Sequence, residues 1–141
     1  MIEIFISFNY TYDNKYRNII KAWNENERIF DFTFDDRTPN EIQTDNIATV
    51  KAVLTRKIKE AIAVVIIVGE HANELHPDYK DIGYRNWQNF EIAKAKELNK
   101  EIVAVQIDSH YEYPEELKKS GATRVSSFKK DDILEAIMSG S

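Results

Sequence analysis

Residues 63–68, AVVIIV, constrain this chain more than any other stretch. Six successive apolar residues, most of them β-branched, leave no face for solvent. A strand of this kind belongs in the middle of a parallel sheet with helices on both faces. The remaining segments must therefore supply neighbouring strands and two layers of helix.

They do so in alternation. IEIFISF (2–8) reads as a first strand and YRNIIKAWNEN (16–26) as an amphipathic helix with Ile19, Ile20 and Trp23 on its core face. FDFTFDD (30–36) alternates aromatic and polar residues, as a half-buried strand does, with Phe30, Phe32 and Phe34 toward the core. A polar loop at 37–46 contains Pro39, and a helix over 47–61 follows with Asp45 or Asn46 as N-cap. Beyond the central strand lies a long loop, 69–86, of a length usually functional or mobile. A helix over 87–99, a buried strand at 101–108, a short helix between Pro114 and Gly121, a weak edge strand at 122–128 and a closing helix at 129–138 complete the pattern. The expectation is α/β: a doubly wound, flavodoxin-like, five-stranded parallel sheet with helices on both faces. Residues 1–138 form one domain, and 139–141 are a tail or cloning scar.

Several chemistries fail on missing residues. Four glycines, none in a phosphate-cradling arrangement, argue against dinucleotide folds and P-loops. The turn FNYTYD is aromatic where a flavodoxin needs small hydroxyl residues, and VVIIVGE has Gly69 where a phosphoacceptor aspartate would stand. The absence of cysteine excludes disulfides and thiolate metal sites. His71 and His76 share no helical face, so no metal is expected there. Ser7 lies within a strand and not on a nucleophile elbow. A net charge of −5 with scattered basic residues argues against nucleic acid. No apolar run reaches membrane-span length and the N-terminus has no basic leader, so a cytoplasmic protein is expected.

Ligands of open α/β sheets bind outside the carboxyl ends of the strands. The residues brought to that edge include Phe8–Asn9–Tyr10, Asp36–Arg37, Gly69–Glu70 and Asp108–Ser109. Trp87 and Glu91 lie four apart at the start of the 87–99 helix, so an indole and a carboxylate share one face there. Taken singly, Trp87 reads as a packing residue, Glu91 as a solvated charge, and Phe8 and Tyr10 as core and rim.

Taken together, these segments resemble Toll/interleukin-1 receptor (TIR) domains. IFISFNYTYD (4–13) is similar to that family's first box, and NWQNFEIAKA (86–95) to its Trp-x-x-x-Glu helix start. FDFTFDD with its polar loop stands in the place of the BB loop. The resemblance covers residues 2–108 and is greatest to the shorter bacterial TIR-like proteins of Thoeris antiphage defence. Gln88 stands where many relatives have cysteine.

The resemblance implies that Glu91 is the catalytic residue of NAD cleavage. Nicotinamide leaves as a neutral base, so one carboxylate suffices where glycosidases need two. An ionised Glu91, favoured by its place in the first helical turn, would hold the ribose and stabilise positive charge at the anomeric carbon. Trp87 would stack on the substrate, with Phe8, Asn9 and Tyr10 lining the cleft and Arg37 reaching the pyrophosphate. NAD is then the substrate, with no other cofactor and no metal. The ADP-ribosyl product would be a cyclic or conjugated nucleotide sensed by a separate effector, and the 37–46 loop would mediate self-association. The alternatives are a non-catalytic TIR interaction module and a nucleoside deoxyribosyltransferase-like enzyme.

Overall fold

The computed structural model describes residues 2–27, 32–35 and 46–139. In chain order the elements are β1 (Ile2–Ser7), α1 (Tyr10–Glu27), β2 (Phe32–Asp35), α2 (Ile47–Glu60), β3 (Ala63–Val68), the single turn α3 (Tyr79–Ile82), α4 (Trp87–Glu97), β4 (Glu101–Gln106), a 3₁₀ turn (Glu115–Leu117), β5 (Thr123–Val125) and α5 (Lys130–Ser139). The strands form one parallel sheet in the order β2-β1-β3-β4-β5, which is the flavodoxin-like order the pattern predicts.

β3 is buried at every position, as its composition requires. The strand period of two divides the core. Phe5, Val64, Ile66, Val68, Ile102 and Ala104 face the side covered by α2 and α4, where Leu54, Ile58, Phe90 and Ile92 meet them. Ile4, Ala63, Val65, Val103 and Val105 face the opposite side with Ile133 and Ile137 of α5, and Ile6 and Ile67 meet Ile20 of α1 there. Parity has a consequence at the end of β1. Ser7 falls on the same side as Phe5, toward α4, and Phe8 on the α1 side.

Several boundaries differ from the sequence reading. α1 begins at Tyr10 and not at 16, because Asn9 caps it: its Oδ1 accepts from the amides of Thr11 (3.1 Å) and Tyr12 (3.3 Å). Along α1, Ile20 is buried and Trp23 half-buried, but Ile19, about 100° round the helix from Ile20, is 39% exposed at the edge of the apolar stripe. β5 is shorter than 122–128, and α5 runs through Ser139 into the expected tail. The short helix after Pro114 is a 3₁₀ turn, with Gly121 at φ +71° beyond it. Asn46 is the N-cap of α2, its side chain accepting from the Thr49 amide at 3.1 Å. The Phe30–Phe32–Phe34 alternation, Arg37 and the 37–45 part of the polar loop lie outside the residues whose side chains are described.

Candidate active site

The sheet order reverses between β1 and β3, and a cleft of about 320 Å³ opens beyond the carboxyl end of β1. It is lined by residues 8–12, 74–77 and 86–88. The volume lies at the lower end of the range for small-molecule sites, and the position is where open α/β sheets bind ligands.

The segment leading into α4 is pinned by side-chain amides. Asn86, the N-cap, accepts from the Asn89 amide at 2.9 Å and donates through Nδ2 to the carbonyls of Ala72 and Glu74, both at 2.9 Å. Asn89, fully buried, donates to Asn73 and Asn86 and accepts from the Glu116 amide. The 69–86 stretch, read from sequence as a long loop, therefore contains α3 and is stitched to α4 and to the 3₁₀ turn. Buried backbone groups need partners, and these asparagines supply them.

α4 is buried from Gln88 through Ile92, so the polar residues among these positions are informative. Gln88 donates through Nε2 to the carbonyls of Ile67 (3.0 Å) and Ser7 (3.3 Å), closing the ends of two adjacent strands. Its amide lines the cleft where the family commonly has cysteine.

Glu91 is only 3% exposed, and its Oε1 accepts a hydrogen bond from the Ser7 hydroxyl at 2.6 Å. Burial pushes its carboxyl up from the ordinary value to about 8, the Ser7 hydroxyl offsetting only part of the rise. Two expectations are thereby corrected. Glu91 is the fifth residue of α4, in the second turn, where the helix dipole is weak. Its burial favours the protonated form at neutral pH, because desolvation outweighs the single hydrogen bond. It also lies behind the cleft wall and does not line it.

The other predicted residues divide. Trp87 is half-buried, lines the cleft and meets Phe90 edge-on at 5.6 Å between ring centroids. Phe8 is 4% exposed and lines the cleft from the core, while Tyr10 at 38% stands on its rim, the two rings 6.4 Å apart. Asn9 lines it too, but its Oδ1 is occupied in capping α1. Trp87, Phe8, Asn9 and Tyr10 thus come together, with Glu91 immediately behind; Arg37 is outside the described residues. His76 and Glu74, on the opposite wall, were not singled out as ligand contacts. His71 stacks on Tyr12 at 3.7 Å and meets Glu74 through Nδ1 at 2.7 Å. Among the described residues no group of three or more His, Cys, Asp or Glu side chains has metal-binding geometry.

Beside the cleft, Asp13 is 4% exposed and packs on Gly69; any Cβ at position 69 would overlap the Asp13 carboxylate. Burial raises Asp13 to about 6, against the pull of His71 and Lys15 and with a small push from Glu70. Asp13 carries no local signal beyond its place in the first box, and neither does Ser7, whose role depends on strand parity and on a helix far along the chain.

Among the described residues no helix is long and apolar enough to cross a membrane. Comparison with curated proteins found no match. A prokaryotic SEFIR domain superposes with a TM-score of 0.52 at 14% identity, covering 99% of this chain and 89% of that one, a likeness of fold. The TIR domains of the activated Roq1 resistosome directly recognising the pathogen effector XopQ give a TM-score of 0.46 at 17% identity over 75% of this chain; the match spans 57% of that chain's length. The family model of the Thoeris protein ThsB, TIR-like domain, matches residues 5–112, the span from β1 through the cleft and α4 to just beyond β4. The chain belongs to that family of Thoeris TIR-like domains.

Proposed function

We propose that this domain cleaves NAD at the bond between nicotinamide and ribose, with Glu91 as the catalytic carboxylate. The observation that carries the reading is a buried carboxyl, held by a hydroxyl and set behind an aromatic-walled cleft at the switch point of the sheet.

Burial favours the protonated form of Glu91, and the substrate supplies what ionises it. The nicotinamide of NAD is a pyridinium cation, and an opposite charge within a few ångströms lowers a carboxyl's pKa. As the glycosidic bond breaks, its electron pair goes to the ring nitrogen and nicotinamide leaves neutral. The positive charge passes to the anomeric carbon and ring oxygen of the ribose. A carboxylate already in place beside that carbon stabilises the charge, more strongly in a dry site than in water. Trp87, Phe8 and Tyr10 supply stacking faces for the flat ring systems, each aromatic contact worth ~0.5–1.5 kcal/mol beyond area burial. Because Glu91 stands behind the lining residues, the cleft wall must open for the substrate to reach it. The ADP-ribosyl group ends in a cyclic or conjugated nucleotide read by a separate effector in antiphage defence. Arg37 on the pyrophosphate and self-association through the 37–46 loop belong to the same proposal.

A second reading is favoured by the burial itself. A neutral, hydrogen-bonded Glu91 also suits a non-catalytic interaction module, where it would be a satisfied core carboxyl. Glu91→Gln separates the two, since it resembles the protonated acid in shape. Under the enzymatic reading, nicotinamide release followed chromatographically falls by about 10²–10³-fold, the scale of losing one preorganised electrostatic contact, while the thermal melt at pH 7 is no lower than that of wild type. Undiminished release by the folded variant would overturn the assignment.

A further inference from the structure

We infer that Ser7 is the positioning residue of Glu91: its hydroxyl fixes the carboxyl through Oε1 and favours the carboxylate form that the substrate's cationic ring meets. The inference rests on the proposed NAD cleavage and assigns a role to a residue that the motif reading left as part of a strand.

Four observations carry it. Strand parity turns Ser7 toward α4, and its hydroxyl reaches Glu91 Oε1 at 2.6 Å, a short O–H···O hydrogen bond. Both residues are buried, at 1% and 3% exposure, so water does not substitute for either partner. The Ser7 carbonyl is held in turn by Gln88 Nε2, one helical turn before Glu91, so backbone and side chain of one serine clasp both residues of α4. Finally, among the described residues burial and the Ser7 hydroxyl are the influences on Glu91's ionisation, burial raising it and the hydroxyl lowering it. Hydrogen bonds to a charged acceptor are roughly twice as strong as those to a neutral one, so the hydroxyl stabilises the anion over the acid.

The test is a titration of Glu91 itself. With ¹³C-labelled glutamate carboxyls, the Glu91 resonance is the one lost in Glu91→Gln. In Ser7→Ala its midpoint should rise by about one pH unit, the scale expected for one hydrogen bond to a charged group. Ser7→Cys, which keeps the shape but donates weakly, should move it the same way if the alanine variant folds poorly. Ser7→Thr, which retains the hydroxyl, should restore the original midpoint. The acid limb of the pH profile for nicotinamide release should move with the resonance, leaving Ser7→Ala about tenfold slower below both midpoints. An unmoved Glu91 titration in folded Ser7→Ala or Ser7→Cys overturns the inference, whatever the activity. A displaced titration in proteins that release no nicotinamide from NAD, wild type included, supports Ser7 as the group that sets Glu91 and overturns the cleavage reading instead.

Discussion

Two buried carboxyls flank the carboxyl edge of this sheet, and they are held in different ways. Glu91 sits in the β1–α4 corner with one hydroxyl donor and, among the described residues, no charged group acting on it, and burial carries it to about 8. Asp13 sits in the α1–β3 corner against Gly69, with His71 and Lys15 close enough to pull it down, and it reaches only about 6. Oδ2 of Asp13 has no hydrogen-bond partner, whereas Glu91 has the Ser7 hydroxyl. Depth and nearby cations, more than the number of hydrogen bonds, decide how far each is displaced. The dry corner stores an acid whose ionisation near neutral pH a cation brought by a ligand would favour. The other is near enough to solvent and cations to be mostly charged at neutral pH.

The largest effect this contrast predicts is on stability against pH. For Glu91 the folded pKa, about 8, lies above the unfolded value near 4.5. Below 4.5 the proton is bound in both states. Between 4.5 and 8 the unfolded chain ionises while the folded one does not, so stability falls as pH rises and levels off above 8. The full difference is on the order of 5 kcal/mol. Glu91→Gln, which cannot ionise, should flatten denaturant-derived stability over that window and be the more stable protein at pH 8.5. Parallel wild-type and variant curves would show that Glu91 is ionised in the resting domain.

Asp13 should show the same sign over a lower window, 3.8 to about 6, and a smaller amplitude. Screening at this less enclosed corner reduces it to about 1–2 kcal/mol. Asp13→Asn should remove that decline and leave the Glu91 window untouched. Gly69→Ala tests the geometry independently, because its methyl must push the Asp13 side chain aside, at about 1–3 kcal/mol. A Gly69→Ala protein as stable as wild type would mean that Asp13 is free to move, and the contrast between the corners would lose its basis.

How legible these corners were differs for physical reasons. The fold follows from short-range patterns: the β-branched run of β3, the alternation of elements and the Asn46 cap are all local, and the strand order came out as the alternation implied. The cleft residues 8–10 and 87 came together because sheet topology dictates which ends meet. What did not show was charge state. Glu91 looks like a first-turn anion in sequence, but ionisation depends on three-dimensional enclosure, and α4 has no exposed residue over 88–92. Ser7 and Gln88 escaped for a related reason: their hydrogen bonds join positions 84 and 81 residues apart, a separation that no local period encodes. The start of α1 was misplaced because Asn9 in FNYT reads equally as a loop residue and as a cap.

Asn9 gives the smallest effect, and it bears on which corner the cleft residues serve. Its Oδ1 caps α1 through the amides of Thr11 and Tyr12, and its backbone carbonyl accepts from the Asp13 amide at 2.8 Å. Asn9 thereby fixes the turn that sets Asp13 on Gly69, besides lining the cleft. Asn9→Ala should lower stability by ~1 kcal/mol, the usual worth of such a cap. Asn9→Asp keeps the acceptor oxygen and should restore it. The two variants part company on turnover. If Asn9 serves only the α1 corner, nicotinamide release follows stability: Asn9→Asp turns over like wild type, and Asn9→Ala does so wherever it is folded. If Nδ2, which has no hydrogen-bond partner among the described residues, donates to bound NAD, Asn9→Asp loses that donor and raises KM despite its intact melt. Stability restored with KM raised would tie this residue to both corners at once; stability and KM restored together would confine it to the cap.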